Sequence, residues 1–285
     1  MAQTDPFSSP ELGRFVGGMI PSPHDPRDFL YQSRSPVTAA TAFRNHDLRD
    51  YHGQSLAMVT RDQQRVGSCT AFAWSALRAA ATARYHIDQG DSPDVRAPSA
   101  RFLYHLERSE MMDPPTYPQD SGADMRSGGL VLSKYGCALE EYCPYTGTAD
   151  DPAPSQEAYD SAAWYGISTF YRIAGTGQAL INGTLQCLEE QWPFVIAVLV
   201  TEAFEQARSD GRMAMPAKNA PILGGHAVCV FANFIDNSFP GGGAWLAQNQ
   251  WGSGWADGGW CLIPFAYATQ TTQYGPLLQE AWTCR

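Results

Sequence analysis

The chain has 285 residues, of which 44% are hydrophobic and 17% charged, and it carries a formal net charge of −10. That is enough chain for one large domain or for two lobes sharing a cleft. The acidic balance repels phosphate backbones and argues against a nucleic-acid partner, and no apolar run is long enough to cross a bilayer as a helix.

Residues 1–40 are interrupted by Pro6, Pro10, Pro21, Pro23, Pro26 and Pro36, which predicts extended or turn-like chain and not helix. The opening stretch MAQTDPFSSPELGRF lacks the basic start and apolar core of a standard secretory signal, so the chain is expected to be cytoplasmic or exported by a non-standard route. The segment nonetheless carries Phe15, Met19, Ile20, Phe29, Leu30 and Tyr31. A freely solvated tail has little reason to hold these residues, so the segment is expected to dock on the rest of the protein.

From Cys69 the run CTAFAWSALRAAATARYH contains neither Pro nor Gly and predicts a helix, with Ser68 placed as its N-cap. APSARFLYHLERSEM predicts a second helix, opened by Pro98 and Ser99. ADMRSGGLVLSKYGC predicts a third, weakened by Gly128 and Gly129 and closed by Gly136, and QALINGTLQCLEEQ a fourth. Beyond it the texture changes to strands: PFVIAVLV, HAVCVFANFI, AWLAQNQW and GGWCLIPFAYA. Helices followed by strands predict an α+β protein with a helical lobe and a sheet lobe.

The seven cysteines are an odd number, which leaves at least one thiol free and does not suggest a disulfide scaffold in a chain of this length. The sequence has no CxxC pair and no HExxH, so neither a metal nor another cofactor is expected.

A thiol that attacks a carbonyl needs a depressed pKa, a base and donors for the oxyanion. Cys69 heads a predicted helix, whose free N–H groups favour a thiolate. His226 follows Gly224 and Gly225 at the start of a strong strand, with open space before its imidazole. Taken alone, it reads as a core or strand-edge histidine. Asn249, two residues before Trp251, offers an amide oxygen to orient an imidazole and an indole to shield the bond. Taken alone, it reads as a strand end before a Gly-rich turn.

Together, in the order Cys, His, Asn, these stretches resemble the papain-like cysteine peptidases. VTRDQQRVGSCTAFA resembles the family's stretch from the oxyanion-hole glutamine to the nucleophile, with Gln63 and Cys69 at those positions. GGHAV resembles its histidine strand, and NQWGSGW its Asn-Ser-Trp-Gly-x-Gly-Trp, with Gln250 replacing Ser. HDLRD, SGADMRSGGLVLSKYG and CPYTG resemble further family stretches, and IPSPHDPRDF resembles the N-terminal part of bacterial members. Val66 stands where the family often has a disulfide cysteine, Asp120 falls near that cysteine's usual partner, and Thr70 replaces the tryptophan after the nucleophile.

The resemblance implies a papain-like two-lobe fold, with a helical N-terminal lobe, an antiparallel β-barrel-like C-terminal lobe and the active site in the cleft between them. It implies a Pro-rich extension over residues 1–40, of regulatory or pro-segment type, and a catalytic domain over 41–285 with lobes at 41–150 and 151–285. The implied activity is that of a cysteine endopeptidase, a monomer acting on polypeptides with no nucleic-acid or membrane partner. Cys69 is the implied nucleophile, His226 its base, Asn249 the orienting group and Gln63 the oxyanion donor. Gly122, Ala227 and Trp251 are the implied substrate contacts. Acyl transfer to amines or deamidation on the same thiol, or a binding protein that has lost activity, are the competing readings.

Overall fold

The computed structural model describes residues 17–34, 43–93 and 96–285. Phe15, Pro6, Pro10, Pro36 and the expected boundary near residue 40 lie outside the described residues. The helices are α1 (Cys69–Asp88), α2 (Ala100–Leu106), α3 (Met125–Lys134), α4 (Gln156–Ala162), α5 (Gln178–Glu189) and α6 (Glu202–Glu205). The strands are β1 (Met19–Ile20), β2 (His46–Asp47), β3 (Ala123–Asp124), β4 (Phe170–Arg172), β5 (Phe194–Val200) and β6 (Gly224–Ile235). They continue with β7 (Gly243–Gln248), β8 (Trp260–Pro264), β9 (Thr271–Thr272), β10 (Gly275–Pro276) and β11 (Leu278–Cys284).

The main sheet runs β4-β11-β5-β6-β7-β8, with β2 added on β6, and every pairing in it is antiparallel. β5 is buried along its whole length, as its unbroken apolar run FVIAVLV requires. Helix α1 is buried on nearly all sides of its first three turns. It packs against α2 and α3 on the helical side and against β5, β6 and β11 on the sheet side. Its Ala-rich sequence allows this, because small side chains let neighbours approach from every direction. The lobes therefore meet around α1, and Cys69 stands at its N-terminal end.

The expected side-chain cap by Ser68 does not form. Its Oγ lies 2.9 Å from the Tyr145 hydroxyl instead, so a tertiary contact has replaced the local one. The second predicted helix holds its α geometry only to Leu106 and then widens into a π-type turn over Glu107–Met111. The predicted strand GGWCLIPFAYA ends at Pro264, and Phe265–Ala268 form a 3₁₀ turn. All seven cysteines are buried free thiols. Where a disulfide would close the turn before Cys69, Asp120 accepts hydrogen bonds from Gly67 N (3.0 Å) and from the Tyr104 hydroxyl (2.5 Å).

Residues 17–34 cross the body of the protein. β1 pairs in parallel with β3, Met19 opposite Ala123 and Ile20 opposite Asp124. Ser22 N and Oγ both donate to Glu280 Oε1 (3.1 and 2.9 Å), and Arg126 bridges Asp25 and Asp28 (2.9 and 2.6 Å). Further along, Tyr31 N donates to Arg172 O and Arg172 N to Phe29 O. Of the apolar residues expected to dock, Met19 is buried, but Phe29 and Leu30 stay exposed, because here the contact is made by backbone.

Candidate active site

Gln63 comes from the turn that leads into α1, Cys69 is the first residue of α1, His226 the third residue of β6, and Asn249 the residue after β7. The antiparallel pairing of β6 with β7 brings the last two together. His226 Nε2 lies 2.8 Å from Asn249 Oδ1, and both residues are buried. The same Oδ1 accepts from Gln250 N at 2.8 Å, which fixes it as the carbonyl end of the amide. Nε2 therefore carries the proton it donates, and Nδ1 is left with a lone pair. Nδ1 has no hydrogen-bond partner among the described residues.

Aromatic rings shield this pair. Trp251 stacks on the imidazole with centroids 4.6 Å apart, Phe204 meets it edge-on at 5.9 Å, and Trp255 backs Phe204 at 6.0 Å. Trp251 also borders an open cavity of about 1160 Å³ that continues past Gln64 and Glu205. Gln250, noted in the sequence only as a replacement for Ser, ties the site together. Its Nε2 donates to Ala227 O at 2.7 Å and reaches Cys69 O at 3.5 Å.

Gln63 is fully buried. Its Nε2 donates to Val66 O at 2.8 Å, and its backbone is pinned at both ends, N to Gln250 O (2.8 Å) and O to the Tyr145 hydroxyl (2.7 Å).

The N-terminal segment enters this site. Backbone groups of Gly18, Ala227 and Thr70 stand near enough to the Cys69 sulfur to favour its anion. Residues 17 and 18 pass between the turn that carries the thiol and the strand that carries the imidazole. A Cβ on Gly17 would lie 2.2 Å from Gly225 O, and one on Gly18 would lie 1.9 Å from Gly67 O. Gly18 O accepts from Ala123 N at 2.8 Å. Gly122, the neighbour singled out in the sequence, is held at φ +70 with its N–H on the Tyr104 hydroxyl (3.1 Å), so it packs against the segment without bonding to it.

Covered in this way, Cys69 and His226 are both desolvated. Burial pushes the Cys69 thiol up to about 12, against the backbone groups that favour its anion. Burial also holds His226 down at about 4, against the opposing effect of Asn249. The depressed thiol pKa expected of a helix N-terminus is therefore not present in the covered state, where desolvation outweighs the helix field.

A buried thiol at a helix start, an imidazole oriented by an amide and a buried glutamine in the turn before the thiol, set between a helical lobe and an antiparallel sheet, are the side chains that a thiol hydrolase uses. The chain belongs to the papain family of cysteine proteases, whose family model matches residues 43–273. It is similar over 96% of its length to the structure of xylellain, a cysteine protease from Xylella fastidiosa, at 28% identity with a TM-score of 0.75 and 97% of that chain covered. An uncharacterised peptidase C1-like protein of Acanthamoeba polyphaga mimivirus is 29% identical over 228 residues, which are 78% of this chain and 69% of that protein. The digestive procathepsin L 3 of Tenebrio molitor shares the fold at 18% identity and a TM-score of 0.64, over 90% of this chain and 75% of that one.

Proposed function

We propose that the protein is a monomeric endopeptidase acting through Cys69, His226, Asn249 and Gln63, and that its N-terminal segment keeps the cleft closed until displaced. The observation that carries this reading is the contact of residues 17–20 with the site. An extended backbone lies at the sulfur and accepts a hydrogen bond from Ala123, so the groove has the shape and the donor that a peptide requires.

The chemistry follows from the atoms present. Once the segment leaves, water and substrate reach the pair and both groups can charge. The Cys69 sulfur bonds to the carbonyl carbon of the scissile peptide, its proton passing to His226 Nδ1. Asn249 holds Nε2–H and so aims Nδ1 at the reacting atoms. The carbonyl oxygen becomes an oxyanion, met by the Gln63 side-chain amide and the Cys69 N–H. The carbon–nitrogen bond then breaks, and the leaving amine takes the proton from His226 and departs on the side lined by Trp251. Water, deprotonated by His226, cleaves the thioester and restores the thiol. Gly122 and Ala227 form the walls on the acyl side.

The test is hydrolysis of a dipeptidyl fluorogenic reporter together with stoichiometric labelling of Cys69 by a thiol-directed epoxide. Casein cleavage is expected to exceed incorporation of an added amine into casein. Amine incorporation without cleavage would instead identify an acyl transferase.

A further inference from the structure

The residue after the nucleophile, Thr70, places its hydroxyl 2.8 Å from Glu107 Oε2. Glu107 is fully buried and begins the π-type turn that extends α2. Its second oxygen, Oε1, has no hydrogen-bond partner among the described residues. It packs against Gly128, where a Cβ would come within 2.8 Å of it. The nearby Trp74 indole is engaged elsewhere, on Met125 O.

Among the described residues no cation is paired with this carboxyl. The adjacent Arg108 directs its guanidinium at the carbonyl oxygens of Tyr104, Gln119 and Ala149 and lies over the Tyr104 ring. The other charged or titratable groups facing Glu107 are Asp124, from the junction of β3 and α3, and Cys69 on α1. Asp124 is itself engaged, accepting from Ser127 N and Oγ. The cluster thus holds two carboxyls and a thiol in one buried region, with a single guanidinium turned to other partners. Such a carboxyl keeps its proton through neutral pH, and burial pushes Glu107 up to about 8.

We propose that Glu107 is a positioning residue for the nucleophile: joined to the first turn of α1 through Thr70, its carboxyl must keep its proton for the Cys69 thiolate to form. The field at a helix N-terminus favours the thiolate. A second anion on the neighbouring residue's hydrogen-bond partner opposes that field in surroundings that screen it poorly. Protonated, the same carboxyl steadies the turn without adding charge. The inference rests on the assignment of Cys69 as nucleophile in the preceding section. Thr70 stands where the family usually has tryptophan, so the link is made by this chain's own pair of residues.

The experiment measures iodoacetamide alkylation of Cys69 from pH 5 to pH 10, resolved by peptide mass spectrometry, in the full-length chain opened by Gly18→Ala, with the wild-type residues at 70 and 107 (wild type below), with Glu107→Gln and with Thr70→Val. Glu107→Gln keeps the hydrogen bond and cannot ionise. Its rate is expected to match wild type below about pH 7 and to exceed it by about tenfold near pH 9.5. Thr70→Val removes the carboxylate's one hydrogen bond and so delays its ionisation. It should therefore also outrun wild type above pH 8, which keeps the test available if Glu107→Gln does not fold. A ratio to wild type that is constant across pH, whether one or any other value, overturns the proposal and leaves Glu107 with a purely structural role. If that constant ratio accompanies normal reporter hydrolysis, only this inference fails. If Cys69→Ala retains wild-type hydrolysis, the nucleophile assignment fails and this inference with it.

Discussion

Replacing Gly18 by alanine should open the site. The added Cβ would stand 1.9 Å from Gly67 O, 2.3 Å from Gly67 C and 2.4 Å from Gly67 Cα. All three are backbone atoms of the turn that presents Cys69, and Asp120 holds that turn in place, so neither side can yield and the segment must lift. Lifting exposes Met19, now 1% accessible, which costs about 2 kcal/mol. It also breaks the Ala123–Gly18 hydrogen bond, at about 1 kcal/mol. A loss of about 3 kcal/mol lowers the occupancy constant of the closed state by about a hundredfold. The assay is kcat/KM on a dipeptidyl reporter for full-length wild type and Gly18→Ala, with Gly166→Ala as control. At Gly166 the nearest atom to a new Cβ is 3.5 Å away, an ordinary contact. Gly18→Ala should raise kcat/KM by ten- to a hundredfold, and the control should leave it unchanged. A rise below threefold in a variant with an unaltered circular dichroism spectrum would refute the occlusion argument.

Cys69→Ala should abolish hydrolysis while the melting temperature changes little, because the side chain loses one atom at a helix start; an active alanine variant would sink the mechanism. Gln63→Ala, assayed in the Gly18→Ala background, should lower kcat by about a hundredfold with little change in KM, since its amide is needed most when charge develops. An unchanged kcat would make Gln63 a purely structural residue of the turn. Glu280→Ala removes the acceptor of both Ser22 hydrogen bonds and should raise the activity of the full-length chain, though less than Gly18→Ala does; equal or lower activity would show that this anchor does not hold the closed state. Glu107 has its carboxyl raised from 4.5 to about 8 by burial, so the native state holds the proton more tightly than the unfolded chain, and stability must fall as pH rises between those values. Thermal melts of Glu107→Gln should accordingly coincide with wild type near pH 4 and lie several degrees higher at pH 8; a gap that narrows with pH would contradict this sign.

Helix α1 was legible because eighteen residues without Pro or Gly leave few other options, and β5 because an unbroken apolar run fits a strand buried on both faces. His226 and Asn249 could be paired because each sits at the end of a readable strand, and antiparallel pairing brings those ends together. β11 was not legible. Its sequence LQEAWTC lacks β-branched alternation, and its burial is imposed by β4 and β5 on either side. With β11, the role of Glu280 was also hidden. Phe204 and Gln250 were missed for a similar reason, since one lies on a four-residue helix and the other acts through partners distant in sequence. Gly17 and Gly18 could be seen as flexible, but their need to be small arises only where the segment passes between Gly67 and Gly225. The Ser68 cap was a sound local inference that a tyrosine 77 positions away overrode.

The Asp120 tie has a further chemical consequence. A papain-type bridge at this turn would share its chemistry with the Cys69 sulfur, so any reductant strong enough to rescue an oxidised Cys69 could also cut the brace beneath it. Here the brace is a carboxylate gripping one amide and one phenol, and it contains no bond that a reductant can break. Repair of Cys69 and support of Cys69 are thereby uncoupled: the enzyme can be kept in excess thiol indefinitely without loosening the loop that aims its sulfur.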